Sequence, residues 1–205
     1  MIDALLVADP PDAWESAGFT VDPDGTCRVG TVRIKLIGAG EQRGIVGWSL
    51  RADVDGDLDG VPTTSSERAP AEPAVHPNGV TAIDHVVLLT PDLERTKVAL
   101  KGIGLEPRRE RDGELGGAAI RQVFYRFDDV IVEVIGSPAN PGDGPSSLWG
   151  ITFVADDIDA AAVFFGENTS PLKDAVQPGR RITTLRHREL GMSVRTALIS
   201  PHVKA

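Results

Sequence analysis

Apolar and polar positions alternate in two long stretches of the chain, residues 83–136 and 149–201, and each stretch predicts strands around one helix. In the first stretch, residues 83–89 form an apolar run that ends at Thr90-Pro91-Asp92, where Thr90 can cap a helix. Glycines at 102 and 104 can end that helix. A charged, extended segment follows, and residues 120–127 and 130–135 then predict two strands. The pattern therefore favours an α+β fold built from a strand, a helix and three further strands.

The two-residue connection at 128–129 sets the register of the last two strands. It places Phe124 opposite Glu133 and Gln122 opposite Ile135. Strand alternation then assigns the valines at 130, 132 and 134 to the helix side, and Glu133 to the other side together with Gln122, Phe124 and Arg126. Because a buried, unpaired carboxylate is costly, Glu133 is expected to have a partner or to line a cavity.

A second copy of the unit follows. Residues 149–159 align with residues 84–94 without a gap, and residues 181–201 repeat the hairpin. In this alignment Gly150 takes the place of His85, and Thr196 takes the place of Glu133. The second copy therefore lacks the two groups that the first copy carries.

The N-terminal part predicts an abbreviated version of the same unit. Residues 4–8, 10–17 and 32–37 read as a strand, a short helix and a strand, with Lys35 at the glutamate position. Residues 44–55 read as an orphan first strand, in which Gly47 matches Gly150. Prolines, serines and glycines then replace the apolar pattern, which is typical of a linker. We therefore predict an abbreviated unit with the orphan strand over 1–55, a linker over 56–80, and paired modules over 81–205, namely 81–138 and 147–201.

Composition narrows the classes of partner. The formal net charge of −9 argues against nucleic acid and anionic membranes, which need clustered positive charge. Cys27 is the only cysteine, which excludes an internal disulfide and fits a reducing, cytoplasmic location. No apolar run approaches membrane-spanning length. A homodimer is expected, because curved open sheets leave edges that need cover.

Two charged segments need an interpretation. The run Asp53, Asp55, Asp57 and Asp59 resembles the start of a calcium-binding loop, but the twelfth position counted from Asp55 is a serine instead of a glutamate. A solvated acidic turn is therefore predicted. The basic segment 177–190 contains Arg180, Arg181, Arg186 and Arg188, which either pair with surface carboxylates or, in the case of Arg181, hold an anionic ligand.

These patterns resemble the vicinal oxygen chelate superfamily, which includes glyoxalase I, bleomycin-resistance proteins and extradiol dioxygenases. The segments that carry the resemblance are IDHVVLLTPDLE with VIVEVIG, and GITFVADDID with SVRTALISP. The resemblance implies repeated βαβββ modules whose curved sheets enclose a cup for a small molecule, with a divalent metal bound on the first and fourth strands. It matches His85 and Glu133 to metal ligands, with Glu133 also the catalytic candidate, whereas Gly150 and Thr196 depart from the pattern.

A third protein ligand is conceivable in the second hairpin. If that hairpin turns at residues 190–191, Thr196 pairs with Leu185, and His187 faces the cup as a ligand beside His85 and Glu133. The predicted lining of the cup is then Gln122, Phe124, Arg126, Gly150, Thr152, Arg181, Thr183 and Thr196. Three functions stay open: a metal-dependent lyase, isomerase or dioxygenase on a small oxygenated metabolite, a sequestering protein of the bleomycin-resistance kind, and a metal-free enzyme in which His85 and Glu133 act as acid and base.

Overall fold

The structure, a computed structural model, describes residues 1–54 and 56–202, which form two mixed β-sheets and three α-helices. The first sheet contains β1 (Ile2–Val7), β2 (Thr26–Val29), β3 (Val32–Leu36), β4 (Ile45–Leu50), β5 (Gly56–Leu58) and β6 (Val61–Ser65). The second contains β7 (Val80–Leu89), β8 (Arg109–Leu115), β9 (Ala118–Phe127), β10 (Val130–Gly136), β11 (Ser147–Ala155), β12 (Lys173–Asp174), β13 (Arg181–Thr184) and β14 (Arg195–Ile199). The helices are α1 (Pro11–Ser16), α2 (Leu93–Gly102) and α3 (Ile158–Phe165), and a 3-10 turn, Gly166–Asn168, follows α3.

The second sheet consists of two βαβββ modules joined through their first strands. The strand order is β12-β13-β14-β11-β7-β10-β9-β8. In each module the first strand is parallel to the last, and the two first strands, β7 and β11, are antiparallel. The predicted α+β fold with repeated βαβββ modules is therefore confirmed. The predicted hairpin register is also confirmed, since Phe124 pairs with Glu133 and Gln122 with Ile135.

The first sheet has the same arrangement with shorter strands. Strand β1 is parallel to β3 and antiparallel to β4, and β4 is parallel to β6. Strand β4 is therefore not an orphan: it begins a unit without a helix, whose last strands are β5 and β6. The predicted linker over 56–80 needs correction for residues 56–65, which form those strands. Their glycine, proline, serine and threonine content hides them from a search for apolar alternation.

Both helices of the second sheet begin at an aspartate. Asp92 accepts hydrogen bonds from the amides of Glu94 and Arg95, and Asp157 caps α3 through the same spacing. The predicted cap at Thr90 is therefore wrong by two residues. The hydroxyl of Thr90 instead accepts a hydrogen bond from the amide of Asp92 and so shapes the turn before the helix.

The two sheets share one apolar core. The predicted helix-side valines at 130, 132 and 134 are each at most 3% exposed. The ring of Trp48 lies 5.7 Å from that of Phe127, and the ring of Phe19 lies 5.3 Å from that of Phe153, so the first sheet packs on the helix-covered face of the second. The opposite face of the second sheet, here called the cup face, carries Glu133. Among the described residues, no helix is long and apolar enough to cross a membrane.

Asp59 fastens the first sheet to α2. Its carboxylate is only 3% exposed and accepts hydrogen bonds from the hydroxyls of Thr96 and Ser146 and, at 2.5 Å, from Nε of Arg95. The prediction of a solvated acidic turn is therefore wrong at Asp59, because the chain supplies three donors to it. Asp55, from which the calcium loop was counted, lies outside the described residues.

Candidate active site

Two rows of side chains cross the cup face, because residues paired between neighbouring strands point to the same side of a sheet. The first row contains, in order, Arg109, Phe124, Glu133, Val87, Gly150 and Arg195. The second row lies two residues along the strands and contains Arg126, Ile131, His85, Thr152, Ala197 and Thr184. His85 and Glu133 therefore lie in adjacent rows, on adjacent strands, at the centre of the cup.

His85 and Glu133 face each other at the floor of the cup. Nε2 of His85 lies 3.6 Å from Oε2 of Glu133, and the two side chains are 18% and 11% exposed. The other carboxylate oxygen, Oε1, accepts a hydrogen bond from the amide of Gln122. Gln122 in turn accepts hydrogen bonds from Nε and Nη2 of Arg111, at 2.9 and 2.6 Å. Both oxygens of the buried carboxylate thus have polar partners, as its burial requires.

A β-bulge brings Asp84 to the other side of His85. Strand β7 pairs irregularly with β11, so that Asp84 is an extra residue between the pairs Ile83–Phe153 and His85–Thr152. Bulges often re-aim a side chain. Here Oδ2 of Asp84 lies 2.8 Å from Nδ1 of His85. The only sequence signal for this residue is a second polar side chain directly before His85 in an apolar strand.

Arg180 completes the partners of Asp84. Its buried guanidinium places Nη2 at 2.6 Å from Oδ1 of Asp84, while its Nε donates to the backbone carbonyl of Ser200 at 2.7 Å. Burial alone would raise the pKa of Asp84, but the hydrogen bond with His85 and the charge of Arg180 outweigh it and hold that pKa below its usual value. A charged Asp84 favours Nδ1 of His85 as the donor and thereby aims Nε2 at Glu133.

A cavity of about 440 Å³ lies beside this pair, in the half of the cup that β11 and β14 form. The cup-face residues that line it are Val87, Gly150, Thr152, Thr184, Arg195 and Ala197. The segment after β13 forms the opposite wall with Arg186, His187 and Arg188. The cavity therefore combines an apolar floor with three arginines, Arg186, Arg188 and Arg195, and one carboxylate, that of Glu189.

Trp149 reaches this cavity through a second bulge. It is the extra residue on β11 between the pairs Leu148–Leu88 and Gly150–Val87, the position that corresponds to Asp84 in the first module. The guanidinium carbon of Arg195 lies 4.8 Å from the centre of the indole ring. Sequence reasoning missed Trp149 because strand alternation alone does not reveal a bulge, and it missed Arg195 because the alignment placed Thr196 on the cup face instead.

The structure separates the predicted lining residues into two groups. Gln122, Phe124, Arg126, Gly150 and Thr152 lie on the cup face. Thr196, Thr183 and Arg181 do not: Thr196 pairs with Ile151 and Thr183 with Leu198, all of them buried on the helix-covered face.

The side chains of these three residues are therefore one position along the strand away from the cup face, although Thr196 still contributes to the lining of the cavity. Arg181 forms an ion pair with Asp159 on α3, which corresponds to the first of its two predicted roles. In the first module Glu133 pairs with Val87. The corresponding pair in the second module is Ala197 with Thr152, so Ala197 and not Thr196 takes the place of Glu133.

The described residues do not fit a metal site completed by protein ligands. His85 and Glu133 supply two ligands, whereas the metals of such sites are held by three or four. His187 lines the cavity, but within residues 1–54 and 56–202 no three histidine, cysteine, aspartate or glutamate side chains come close enough to hold a metal ion. Of the predicted set of His85, Glu133 and His187, the structure brings together the first two, and His187 lies apart from them. Burial lowers the pKa of His187, and the charges of Arg195 and Arg188 add to this effect.

Gly150 is required by packing. A Cβ atom at this position would lie 2.7 Å from the backbone oxygen and 3.2 Å from the Cβ of Arg195. Strand β14 therefore approaches β11 too closely for any side chain here. A histidine at this position, which would restore the resemblance to a metal site, has no room.

Comparison with known proteins finds similarity in structure and not in sequence. No protein-family model matches the chain, and no curated protein matches it. A mutant of 4-hydroxymandelate synthase from Streptomyces coelicolor is similar over 100% of this chain and 93% of its own, with 14% identity and a TM-score of 0.65. A fusion of a xylose isomerase-like TIM barrel with a 4-hydroxyphenylpyruvate dioxygenase is similar over 100% of this chain and 49% of its own, with 13% identity and a TM-score of 0.61.

Smaller proteins match only part of the chain. Methylmalonyl-CoA epimerase from Mycobacterium tuberculosis covers 63% of this chain and 94% of its own, with 13% identity and a TM-score of 0.48. The two matches over the full length include the N-terminal sheet. At these identities the likeness concerns the fold.

Proposed function

Because this chain has the fold of the vicinal oxygen chelate superfamily, we propose that its cup binds a small oxygenated metabolite and that Glu133 and His85 transfer a proton on it. The observation that carries the proposal is the series of contacts from Asp84 to His85 at 2.8 Å and from His85 to Glu133 at 3.6 Å, at the floor of the cup and beside a cavity of about 440 Å³. A carboxylate, an imidazole and an orienting carboxylate in this order form an acid–base arrangement.

The arrangement suits a substrate with a hydrogen on a carbon next to a carbonyl group. Glu133 takes this proton, and the electron pair of the carbon–hydrogen bond moves into the carbonyl group. The resulting enolate oxygen accepts a hydrogen bond from Nε2 of protonated His85, whose imidazolium Asp84 stabilises. Return of a proton from Glu133 to the same face of the carbon restores the substrate and both side chains, so that the net result is exchange of the carbon-bound hydrogen with solvent. An epimer forms when the enolate turns its other face to Glu133 before the proton returns.

A metal-dependent lyase, isomerase or dioxygenase would need a further ligand that the described residues do not bring to His85 and Glu133. The contacts of the pair also favour proton transfer. One oxygen of Glu133 is engaged by Gln122, and Nδ1 of His85 is engaged by Asp84. The proposal therefore assigns the chemistry to the side chains themselves.

Deuterium uptake from D₂O tests the proposal even where the product of the reaction has not been identified. A panel of small 2-oxo and 3-oxo acids is incubated with the protein, and loss of the carbon-bound proton is followed by NMR. The wild type is expected to exchange at least one compound, and Glu133→Gln is expected to slow this exchange about 100-fold or more, since a positioned base contributes about 10²–10⁴-fold. Glu114→Gln, which removes an exposed carboxylate on β8, is the matched control and should leave the rate unchanged.

Two results would contradict the proposal. An exchange rate in Glu133→Gln equal to that of the wild type would remove the role of this carboxylate. Loss of exchange in EDTA, with recovery when a divalent metal is added, would show that the side chains do not act alone.

Binding without chemistry is the second candidate. Gly150 and Ala197, at the positions of the second module that correspond to His85 and Glu133, carry no reactive group. A sequestering protein would be stabilised in thermal unfolding by its ligand, by about 2.7 kcal/mol at 100 times the Kd, with or without EDTA. It would show no deuterium uptake into that ligand, which separates the two candidates.

A further inference from the structure

Arginines stand at both ends of the row that contains Glu133. Arg109 on β8 is one end, and Arg195 on β14 is the other. Because the row crosses six strands spaced about 4.8 Å apart, its ends lie about 24 Å apart along the sheet. Each guanidinium group leans inward over an aromatic ring of the neighbouring strand, Phe124 on β9 and Trp149 on β11, so the two groups are separated by about three strand spacings, or about 14 Å along the sheet.

Each of the two arginines rests on an aromatic ring. The guanidinium carbon of Arg109 lies 4.7 Å from the ring centre of Phe124, and that of Arg195 lies 4.8 Å from the ring centre of Trp149. Within the part of the chain that the structure describes, neither arginine forms an ion pair with a carboxylate. An arginine held on a ring face keeps its forked donors free for an anion.

The lack of acidic partners is notable in this chain, which has 30 acidic residues against 21 lysines and arginines. Elsewhere arginines do find acids, as Arg121 does with Asp112 at 2.7 Å. Further guanidinium groups reinforce both walls of the cup. Arg111 lies 6.0 Å from the ring centre of Phe124 on one wall, and Arg186 and Arg188 line the cavity on the other.

Glu133 is the only acidic residue in the two rows across the cup face. Its two oxygens face Gln122 and His85, not the arginines. Glu189 adds one carboxylate to the cavity wall, where Arg186, Arg188 and Arg195 outnumber it. A cup with an excess of positive charge concentrates anions from solution. A ligand with one negative group would satisfy one wall and leave the other without a partner.

We infer that the ligand of the cup is a small dianion with its two negative groups at opposite ends, such as a linear dicarboxylate. Arg195 and the cavity wall bind one end, and Arg109 with Arg111 binds the other. The inference rests on the proposed function only in placing the ligand in the cup above Glu133. It adds the chemical class of the ligand, which the proton-transfer proposal leaves open.

Calorimetric titration of the whole chain with a series of dicarboxylates, from malonate to suberate, tests the inference at constant ionic strength. Acetate and butyrate serve as single-anion probes. One chain length is expected to bind at least about tenfold more tightly than either single anion, because each charge-assisted arginine–carboxylate contact is worth about a factor of ten or more. In Arg109→Gln and in Arg195→Gln this advantage should disappear, so that the diacid binds about as weakly as butyrate.

Arg68→Gln is the matched control, because it removes the same charge from an exposed residue outside the second sheet. It should leave the preference for the diacid intact. The thermal unfolding of each variant is measured alongside, so that a folding defect is recognised. The inference is overturned if no diacid binds more tightly than the single anions, or if Arg68→Gln lowers its affinity as much as the cup variants do.

The deuterium experiment separates this inference from the proposed function. If the diacids show no advantage while Glu133-dependent exchange is present in a singly charged or neutral compound, only the two-anion inference fails. If exchange is absent while a diacid binds and depends on both arginines, the inference stands and the proton-transfer proposal fails.

Discussion

Replacement of Gly150 by alanine tests why the second module carries no side chain at the position of His85. The added Cβ would lie 2.7 Å from the backbone oxygen of Arg195, whereas ordinary contacts begin at about 3.4 Å. Strand β14 must therefore move by roughly 0.7 Å, the difference between the two distances. The position is not left-handed, so the substitution adds no backbone strain of its own.

The expected loss of stability follows from two opposing contributions. Overpacking of this kind costs about 1–3 kcal/mol. Alanine restricts the unfolded chain and returns up to about 1 kcal/mol. The net loss then lies between about 0 and 3 kcal/mol, and its midpoint of about 1.5 kcal/mol corresponds to a fall in Tm of roughly 3–6 °C for a chain of this size.

Differential scanning calorimetry and urea unfolding measure this change. Gly40→Ala is the matched control, because nothing lies within 4 Å of a Cβ built there and its backbone is not left-handed. Its Tm should stay the same or rise slightly. If Gly150→Ala is as stable as Gly40→Ala, the close approach of β14 is not what keeps a side chain out of this position.

Three further predictions concern the contacts around the cup. Asp84→Asn leaves the buried guanidinium of Arg180 without its carboxylate and should cost about 3–5 kcal/mol in urea unfolding at pH 7. The pKa of Asp84 is lowered in the folded protein, so its contribution to stability is fully present above about pH 4 and is lost as the pH falls through the folded pKa. The difference in free energy of unfolding between wild type and variant should therefore close below pH 4. A difference that stays constant down to pH 2 would contradict this. Asp9→Asn weakens the acceptor for Nε1 of Trp14 (3.0 Å) and for the amide of Ser193 (2.8 Å), so amide hydrogen exchange at Ser193 should speed up while that of β10 stays unchanged. Light scattering should give a homodimer, twice the chain mass of 21.8 kDa; a monomer across all concentrations would refute it.

The first module could be predicted from its sequence because its information is local. A two-residue turn connects β9 and β10, so a single assumption about that turn placed Gln122, Phe124 and Glu133 on one face. His85 was assigned to the site by the resemblance to the superfamily, and the structure places it beside Glu133. Asp84 could not be placed by strand alternation, because a bulge breaks that alternation.

The second module illustrates the opposite case. The pairing within the second hairpin was predicted correctly across the ten residues that separate β13 from β14, because the pairs of the two strands continue to Leu185 and Thr196. The alignment with the first module was wrong by one position, and it moved Thr196, with Thr183 and Arg181, from the helix-covered face to the cup face. The residues that do face the cavity there, Arg195 and Trp149, became visible only when the pairing was known.

A comparison of the two sheets explains where the chemistry can reside. In the first sheet Leu6 pairs with Lys35 on one side and Gly47 on the other, as Val87 pairs with Glu133 and Gly150 in the second sheet. A Cβ at Gly47 would lie 2.8 Å from the backbone oxygen of the neighbouring strand β6, which repeats the packing found at Gly150.

The glycine is therefore a requirement of the way these units pair, and it recurs in a sheet that lacks both the histidine and the glutamate. The second unit of each pair therefore has no room for a reactive side chain at the position of this glycine. In the proposed function, proton transfer therefore comes from the first unit, through His85 and Glu133, and the proposed selection of the ligand comes from the arginines that line the cavity in the second unit.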